Sequence, residues 1–202
     1  MDTDCSRFNE RRIMRCFIAV DMDPAIKAAM TDLQNRIAGR LDLRRGGVTW
    51  VNDNAMHLTL KFLGDVPDAD LINVCRITEQ VCRRHGRFDL DIEGVGHFGG
   101  SSARVIWVGT GQGTEDLLAL QKDLEDQLES AGWPREGRGF SAHLTLCRIK
   151  NSKAGYTLAQ AYKPHQDIRL GPTGVDSLVV YESQLRPEGP LYTALGRYEL
   201  QA

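Results

Sequence analysis

Two tetrads carry the chemistry this sequence could perform: His57-Leu-Thr-Leu60 and His143-Leu-Thr-Leu146. In an extended chain residues i and i+2 share a face, so each histidine points with its threonine while the leucines turn to the core. A histidine side chain serves near neutral pH either as a base when neutral or as an acid when protonated. Two of them meet the needs of in-line displacement at phosphorus, one taking a proton from the attacking water and the other giving one to the departing oxygen. The threonine hydroxyls suit the non-bridging phosphate oxygens, where added charge develops. Apolar alternation explains the leucines, but not a polar pair repeated in two places.

A metal is the rival use of two histidines. Zinc catalysis takes three protein ligands and an open position, and neither tetrad contains an acidic residue, so neither a metal nor a cofactor is expected. His85, His97 and His165 lie outside the repeated motif and read as structural. The five cysteines are odd in number and form no C-x-x-C pair, which argues against a disulfide framework or a zinc knuckle and fits a reducing cytoplasm. No apolar run is long enough to span a bilayer and the start lacks a signal-peptide core, so a cytoplasmic protein is expected. With 25 basic and 27 acidic residues, the chain lacks the positive excess that drives generic nucleic-acid binding. Any such contact must be local.

The elements that position the tetrads repeat. Arg15-Cys-Phe-Ile-Ala-Val20 reads as a buried strand, and Asp23-Pro24 as the N-cap and first residue of a helix carrying Ile26, Ala29, Met30, Leu33 and Ile37, which Gly39 ends. Val48 to Val51 and His57 to Leu63 read as strands. Arg104 to Gly109 is again a strand, Thr114 caps a helix carrying Leu117, Leu120, Leu124 and Leu128, and Phe140 to Cys147 is a second His-Leu-Thr-Leu strand. From Phe17 to His57 is 40 residues and from Trp107 to His143 is 36, which implies an internal duplication. Between the units lie a helix from about Asp68 to Arg84 and a strand from Phe88 to Phe98. At the end, Asp176 to Tyr181 and Tyr192 to Leu200 form a hairpin around Pro187-Glu-Gly-Pro190.

This order predicts an α+β, bilobal, pseudo-twofold fold: two mostly antiparallel sheets backed by helices, with the active site in the cleft between them. Residues 1–14 are expected to form an N-terminal extension and residues 15–202 a single bilobal domain.

The tetrads resemble the signature of the two-histidine phosphoesterases. More narrowly, Arg15-Cys-Phe-Ile-Ala-Val20, His57-Leu-Thr-Leu-Lys-Phe-Leu-Gly64, Phe140-Ser-Ala-His-Leu-Thr-Leu-Cys-Arg148 and Tyr181-Glu-Ser-Gln-Leu-Arg-Pro-Glu-Gly-Pro190 are similar to the bacterial and archaeal RNA 2′,3′-cyclic phosphodiesterases, historically called 2′-5′ RNA ligases. The resemblance implies metal-free hydrolysis of a terminal 2′,3′-cyclic phosphate to a 2′-phosphate. It implies that His57 is the proton donor and His143 the proton acceptor; the residues alone leave that assignment open. Ala142 stands where the family usually has proline.

Candidate substrate-binding residues are Thr59, Thr145, Lys61, Arg148 and Phe140. Strict alternation sets Lys61 on the face of His57 and Thr59. It turns Arg148, which matches the arginine after the family's second motif, away from the cleft unless a bulge intervenes. Phe140 is a candidate platform for a base. Arg44, Arg45, Arg135 and Arg138 are loop cations within reach of an RNA backbone. The expected partners are RNA ends with a cyclic phosphate, including tRNA fragments, and nucleotides, with no membrane and a monomeric state. The competing functions are 2′-5′ ligation, which reverses the reaction with an RNA hydroxyl in place of water, and a noncatalytic RNA-end or nucleotide-binding module.

Overall fold

The apolar run after Arg12 forms strand β1 (Ile13–Asp21) in the computed structural model, which describes residues 12–39, 47–187 and 189–202. The strand begins two residues before the expected domain boundary, and Met14 is already buried. Residues 1–11 of the expected extension, Cys5 among them, and the Arg44-Arg45 pair lie outside the described residues. Buried on both faces from Cys16 to Val20, β1 occupies an inner position, as a continuous rather than alternating apolar run requires.

Helix α1 (Pro24–Ala38) starts at Asp23-Pro24 as the sequence implies, and its Ile26, Met30, Leu33 and Ile37 are buried. Strand β2 (Val48–Trp50) and strand β3 (His57–Pro67) follow, then helix α2 (Asp68–Cys82) and strand β4 (Phe88–Phe98). The second unit supplies strand β5 (Val105–Thr110), helix α3 (Thr114–Ser130) and strand β6 (Leu144–Ile149). Gly113 rather than Thr114 is the N-cap of α3; Thr114 is the first helical residue, and its hydroxyl donates to the Gly111 carbonyl oxygen at 2.6 Å. Residues 140–143, expected as strand, are irregular, so β6 begins just after His143.

Helix α4 (Ser152–Ala161) and strand β7 (Arg169–Val175) were not legible in the sequence. The first is capped by Asn151, whose side-chain oxygen accepts from the Ala154 N–H at 2.8 Å. The second carries Gly171, Pro172 and Gly174, residue types that weaken a strand; it lies at the sheet edge, where proline is tolerated. Strands β8 (Ser177–Arg186) and β9 (Gly189–Glu199) form the expected hairpin.

The strands form two sheets, ordered β3-β1-β8-β9 and β2-β6-β5-β4-β7, with antiparallel pairing throughout. The α+β, two-sheet architecture is therefore the one expected, but the sequence units and the lobes are not the same objects. The C-terminal hairpin completes the first unit's sheet, and β2, from the first unit, edges the second sheet. One cluster of buried side chains runs through both, including Ile18, Leu58 and Leu60 from one sheet and Ile106, Leu144 and Leu146 from the other. Leu117, Leu120, Leu124 and Leu128 on α3 are fully buried, each contributing about 2 kcal/mol by removal from water.

Candidate active site

Each histidine strand carries a bulge at the same place. In β3, Thr59 pairs with Ala19 and Lys61 with Ile18, leaving Leu60 as the extra residue. In β6, Thr145 pairs with Trp107 and Cys147 with Ile106, leaving Leu146. Both extra residues stand three after the histidine. A bulge reverses the alternation beyond it, so the fourth residue after each histidine turns inward and the fifth turns to the cleft.

This reversal decides two candidates in opposite directions. Lys61 is not a cleft residue. It is 1% exposed, and its ammonium donates to Glu125 Oε1 on α3 at 2.7 Å and to the Pro134 carbonyl oxygen at 2.6 Å. Arg148 takes the opposite course: exposed, it lines the cleft with His57, Thr59, His143 and Thr145. The bulge that alternation demanded for Arg148 is present.

The same arithmetic places Phe62 at the cleft mouth, 53% exposed. Sequence reasoning missed Phe62 and also Arg15, which lines the cleft from β1. Among the described residues no ion pair engages Arg15, Arg138 or Arg148, and all three line the cleft. Arg135 faces elsewhere, bonding Glu129 at 2.7 Å and Asp126. Phe140 sits on the cleft wall while packing against the core.

The cleft has a volume of about 1060 Å³, at the upper end for small-molecule sites. The Thr59 and Thr145 hydroxyls line it without a hydrogen-bond partner among the described residues, and both are partly exposed. They are thus available as donors.

The two histidines are held differently. His143 Nδ1–H donates to the Ser141 carbonyl oxygen at 2.7 Å, which fixes the tautomer and leaves Nε2 as the nitrogen with a free lone pair. Its ring meets Phe98 edge-on at 5.0 Å and Trp107 at 6.5 Å. Trp107 lies flat over the sheet because positions 96 and 109 are glycines: a Cβ on Gly96 would come within 2.4 Å of the indole.

His57 is boxed by aromatic rings instead. It stacks on Phe17 at 4.7 Å and meets Tyr192 edge-on at 5.1 Å, with Tyr181 at 6.1 Å. Burial pushes its pKa down to about 4; Asp21 pulls upward, while Lys27 and Arg148 add to the lowering. Burial therefore holds His57 neutral at pH 7. Burial also raises the Tyr192 phenol, opposed by the nearby Arg148 and Arg15 cations.

Of the other histidines, His85 bonds Asp123 at 3.1 Å, and His97, which lines the cleft beside Phe98, bonds the Tyr162 hydroxyl at 3.0 Å and the Gly100 carbonyl oxygen at 2.6 Å. Among the described residues no group of three His, Cys, Asp or Glu side chains is arranged to hold a metal ion. No helix among them is long and apolar enough to cross a membrane.

The chain is similar in sequence and fold to known proteins. An RNA 2′,3′-cyclic phosphodiesterase of Thermotoga maritima is 34% identical over 93% of this chain and 95% of its own length. Among solved structures, TT0787 of Thermus thermophilus superposes with a TM-score of 0.77 at 26% identity, over 94% of this chain and 99% of that one. Escherichia coli LigT complexed with 3′-AMP also gives 0.77, at 23% identity over 95% of this chain and 100% of that one, a likeness of fold. Residues 22–185 match the model of the 2′-5′ RNA ligase superfamily, a span that takes in both bulged histidine strands and the helices beneath them, and the chain belongs to that family.

Proposed function

We propose that this protein is an RNA 2′,3′-cyclic phosphodiesterase that hydrolyses the terminal cyclic phosphate to a 2′-phosphate without a metal ion. The observation that carries the proposal is the convergence of His57, Thr59, His143, Thr145 and Arg148 on one cleft, in a chain whose relatives bear that activity in their names.

His143 is the base. Its Nε2 lone pair removes a proton from water as the water oxygen attacks phosphorus, and its Nδ1–H stays on the Ser141 carbonyl. His57 is the acid, protonating the 3′ oxygen as the P–O3′ bond breaks. Because burial holds His57 neutral, the donor role requires proton uptake when the phosphodiester anion arrives. A nearby negative charge favours the charged imidazole. Thr59, Thr145 and Arg148 receive the equatorial phosphate oxygens. Proton exchange with solvent then restores both rings. Phe140, Phe62 and Tyr192 offer apolar surface to the bases of the RNA end.

The catalytic pair comes from one chain, which supports action as a monomer. Substrates such as the cyclic-phosphate ends of tRNA fragments, met in the cytoplasm, fit this reading. The test is incubation of the purified protein, with chelator present, with a short RNA ending in a 2′,3′-cyclic phosphate, followed by phosphorus NMR. A 2′-phosphate product is expected; a 3′-phosphate, or activity abolished by the chelator, would overturn the mechanism.

A further inference from the structure

The pseudo-twofold relation between the histidine strands breaks at one position. In β1, Asp21 pairs directly across from His57, so both side chains leave the sheet on the same face. In the second lobe Trp107 pairs with Thr145 and Val108 with Leu144, and the residue that continues the register toward His143 is Gly109. Space there is tight, since a Cβ would lie 3.2 Å from the Glu93 carbonyl oxygen and 3.3 Å from the Trp107 indole. One histidine thus has a carboxylate opposite it in its sheet, where the other has a glycine at the corresponding place.

Asp21 is a built feature. The Tyr181 hydroxyl donates to Asp21 Oδ1 at 2.7 Å, and the Arg197 guanidinium bonds Oδ2 while also donating to the Ser177 hydroxyl at 2.9 Å. Tyr181 in turn stacks on Phe17 at 5.3 Å, the ring that lies against His57. Three strands therefore fix the carboxylate relative to the imidazole. Burial alone would raise the Asp21 carboxyl, but the hydrogen bonds from Tyr181 and Arg197 outweigh it and keep the group ionised.

We infer that Asp21, held by Tyr181 and Arg197, is a positioning residue for His57, its carboxylate supplying the fixed counter-charge to the imidazolium that must form inside an aromatic box. This rests on His57 being the proton donor. Among the described residues, the charged and titratable groups that face His57 are Asp21 from β1, Lys27 from α1, Arg148 from β6, Tyr181 from β8 and Tyr192 from β9. Of these, Asp21 alone favours the protonated ring, and Lys27 and Arg148 oppose it. A bound phosphate adds to what Asp21 supplies. Arg197 shares the carboxylate's charge, so the effect on His57 is partial.

The test is an NMR titration of the His57 ring in Asp21→Asn, Asp21→Glu and Arg197→Gln, beside the pH profile of kcat. Asp21→Asn is expected to lower the His57 midpoint by about half to one pH unit. It should move the alkaline limb of the kcat profile the same way, reduce kcat at pH 7 by about threefold to tenfold and change KM by less than about twofold. Asp21→Glu restores the charge and should recover most of both. Arg197→Gln leaves the carboxylate's charge unshared and should raise the midpoint, a readout that survives if Asp21→Asn fails to fold. A midpoint unmoved in the variants would overturn the inference. The titration needs no turnover: shifted midpoints in a protein that leaves the cyclic phosphate intact would sustain the Asp21 coupling and remove the proposed reaction, whereas hydrolysis with unmoved midpoints would do the reverse.

Discussion

Gln34 on α1 donates a hydrogen bond to the carbonyl oxygen of Leu146, the bulge residue of β6, at 2.9 Å. Its counterpart is Gln121 on α3, whose amide reaches the carbonyl oxygen of Leu60, the bulge residue of β3, at 3.4 Å. The helix of each sequence repeat thus supports the histidine strand of the other. The bulges that aim the cleft residues have their irregular backbone held from beneath.

Gln34→Ala should destabilise the fold by about 1–2 kcal/mol. The amide also donates to the Val51 carbonyl oxygen at 2.8 Å, and loss of a buried partner costs that much. The Val51 N–H still reaches Leu146 O at 3.0 Å, so the bulge itself should persist. A urea titration checks the first point, and near-normal KM the second.

Lys61→Met should be far more costly, about 3–5 kcal/mol, because it strands Glu125 as an uncompensated charge in the core. The double variant Lys61→Met/Glu125→Leu should recover much of that loss, since apolar replacement of a whole buried pair is often neutral. Denaturant midpoints of the two proteins distinguish this structural role from phosphate contact: a phosphate ligand would raise KM in the double variant without restoring anything.

His57→Gln and His143→Gln should each lower kcat by at least about a hundredfold, the lower worth of a placed acid or base. Single-turnover rates on a cyclic-phosphate RNA measure this, and a nearly normal rate in one variant would remove that histidine from the mechanism.

Arg148→Ala should raise KM by about tenfold or more, as loss of a charge-assisted phosphate contact does. It should also move the His57 midpoint upward, because the Arg148 cation is among the groups that lower it. Steady-state kinetics and the ring titration report the two effects separately.

Folding stability should fall on the acid side through His57. Its pKa is about 4 in the folded protein against 6.5 for the free side chain, so between these values the unfolded chain binds the extra proton. The stabilisation is complete above pH 6.5 and lost as pH drops towards 4, on the order of 2–3 kcal/mol. His57→Gln should flatten that part of the stability profile, as read from urea midpoints between pH 4 and 7.

The sequence by itself determined the family, the paired tetrads and the order of elements around them. The two tetrads, the β1 run, the Asp23-Pro24 start of α1, the leucine face of α3 and the C-terminal hairpin are local patterns, written in side chains within a few residues of one another. What local pattern could not determine is which way a strand faces after an irregularity. Alternation holds only until a bulge, and the bulges at Leu60 and Leu146 arise from pairing with β1 and β5, far away in the chain. For that reason parity alone set Lys61 in the cleft and turned Arg148 out of it, whereas the folded protein does the reverse. The partner of Lys61 lies 64 residues away on α3, and the partners of Asp21 lie 160 and 176 residues away on the hairpin. Tertiary structure alone brings such pairs together, because burying a charge requires an opposite one at hydrogen-bond distance, wherever in the sequence it lies.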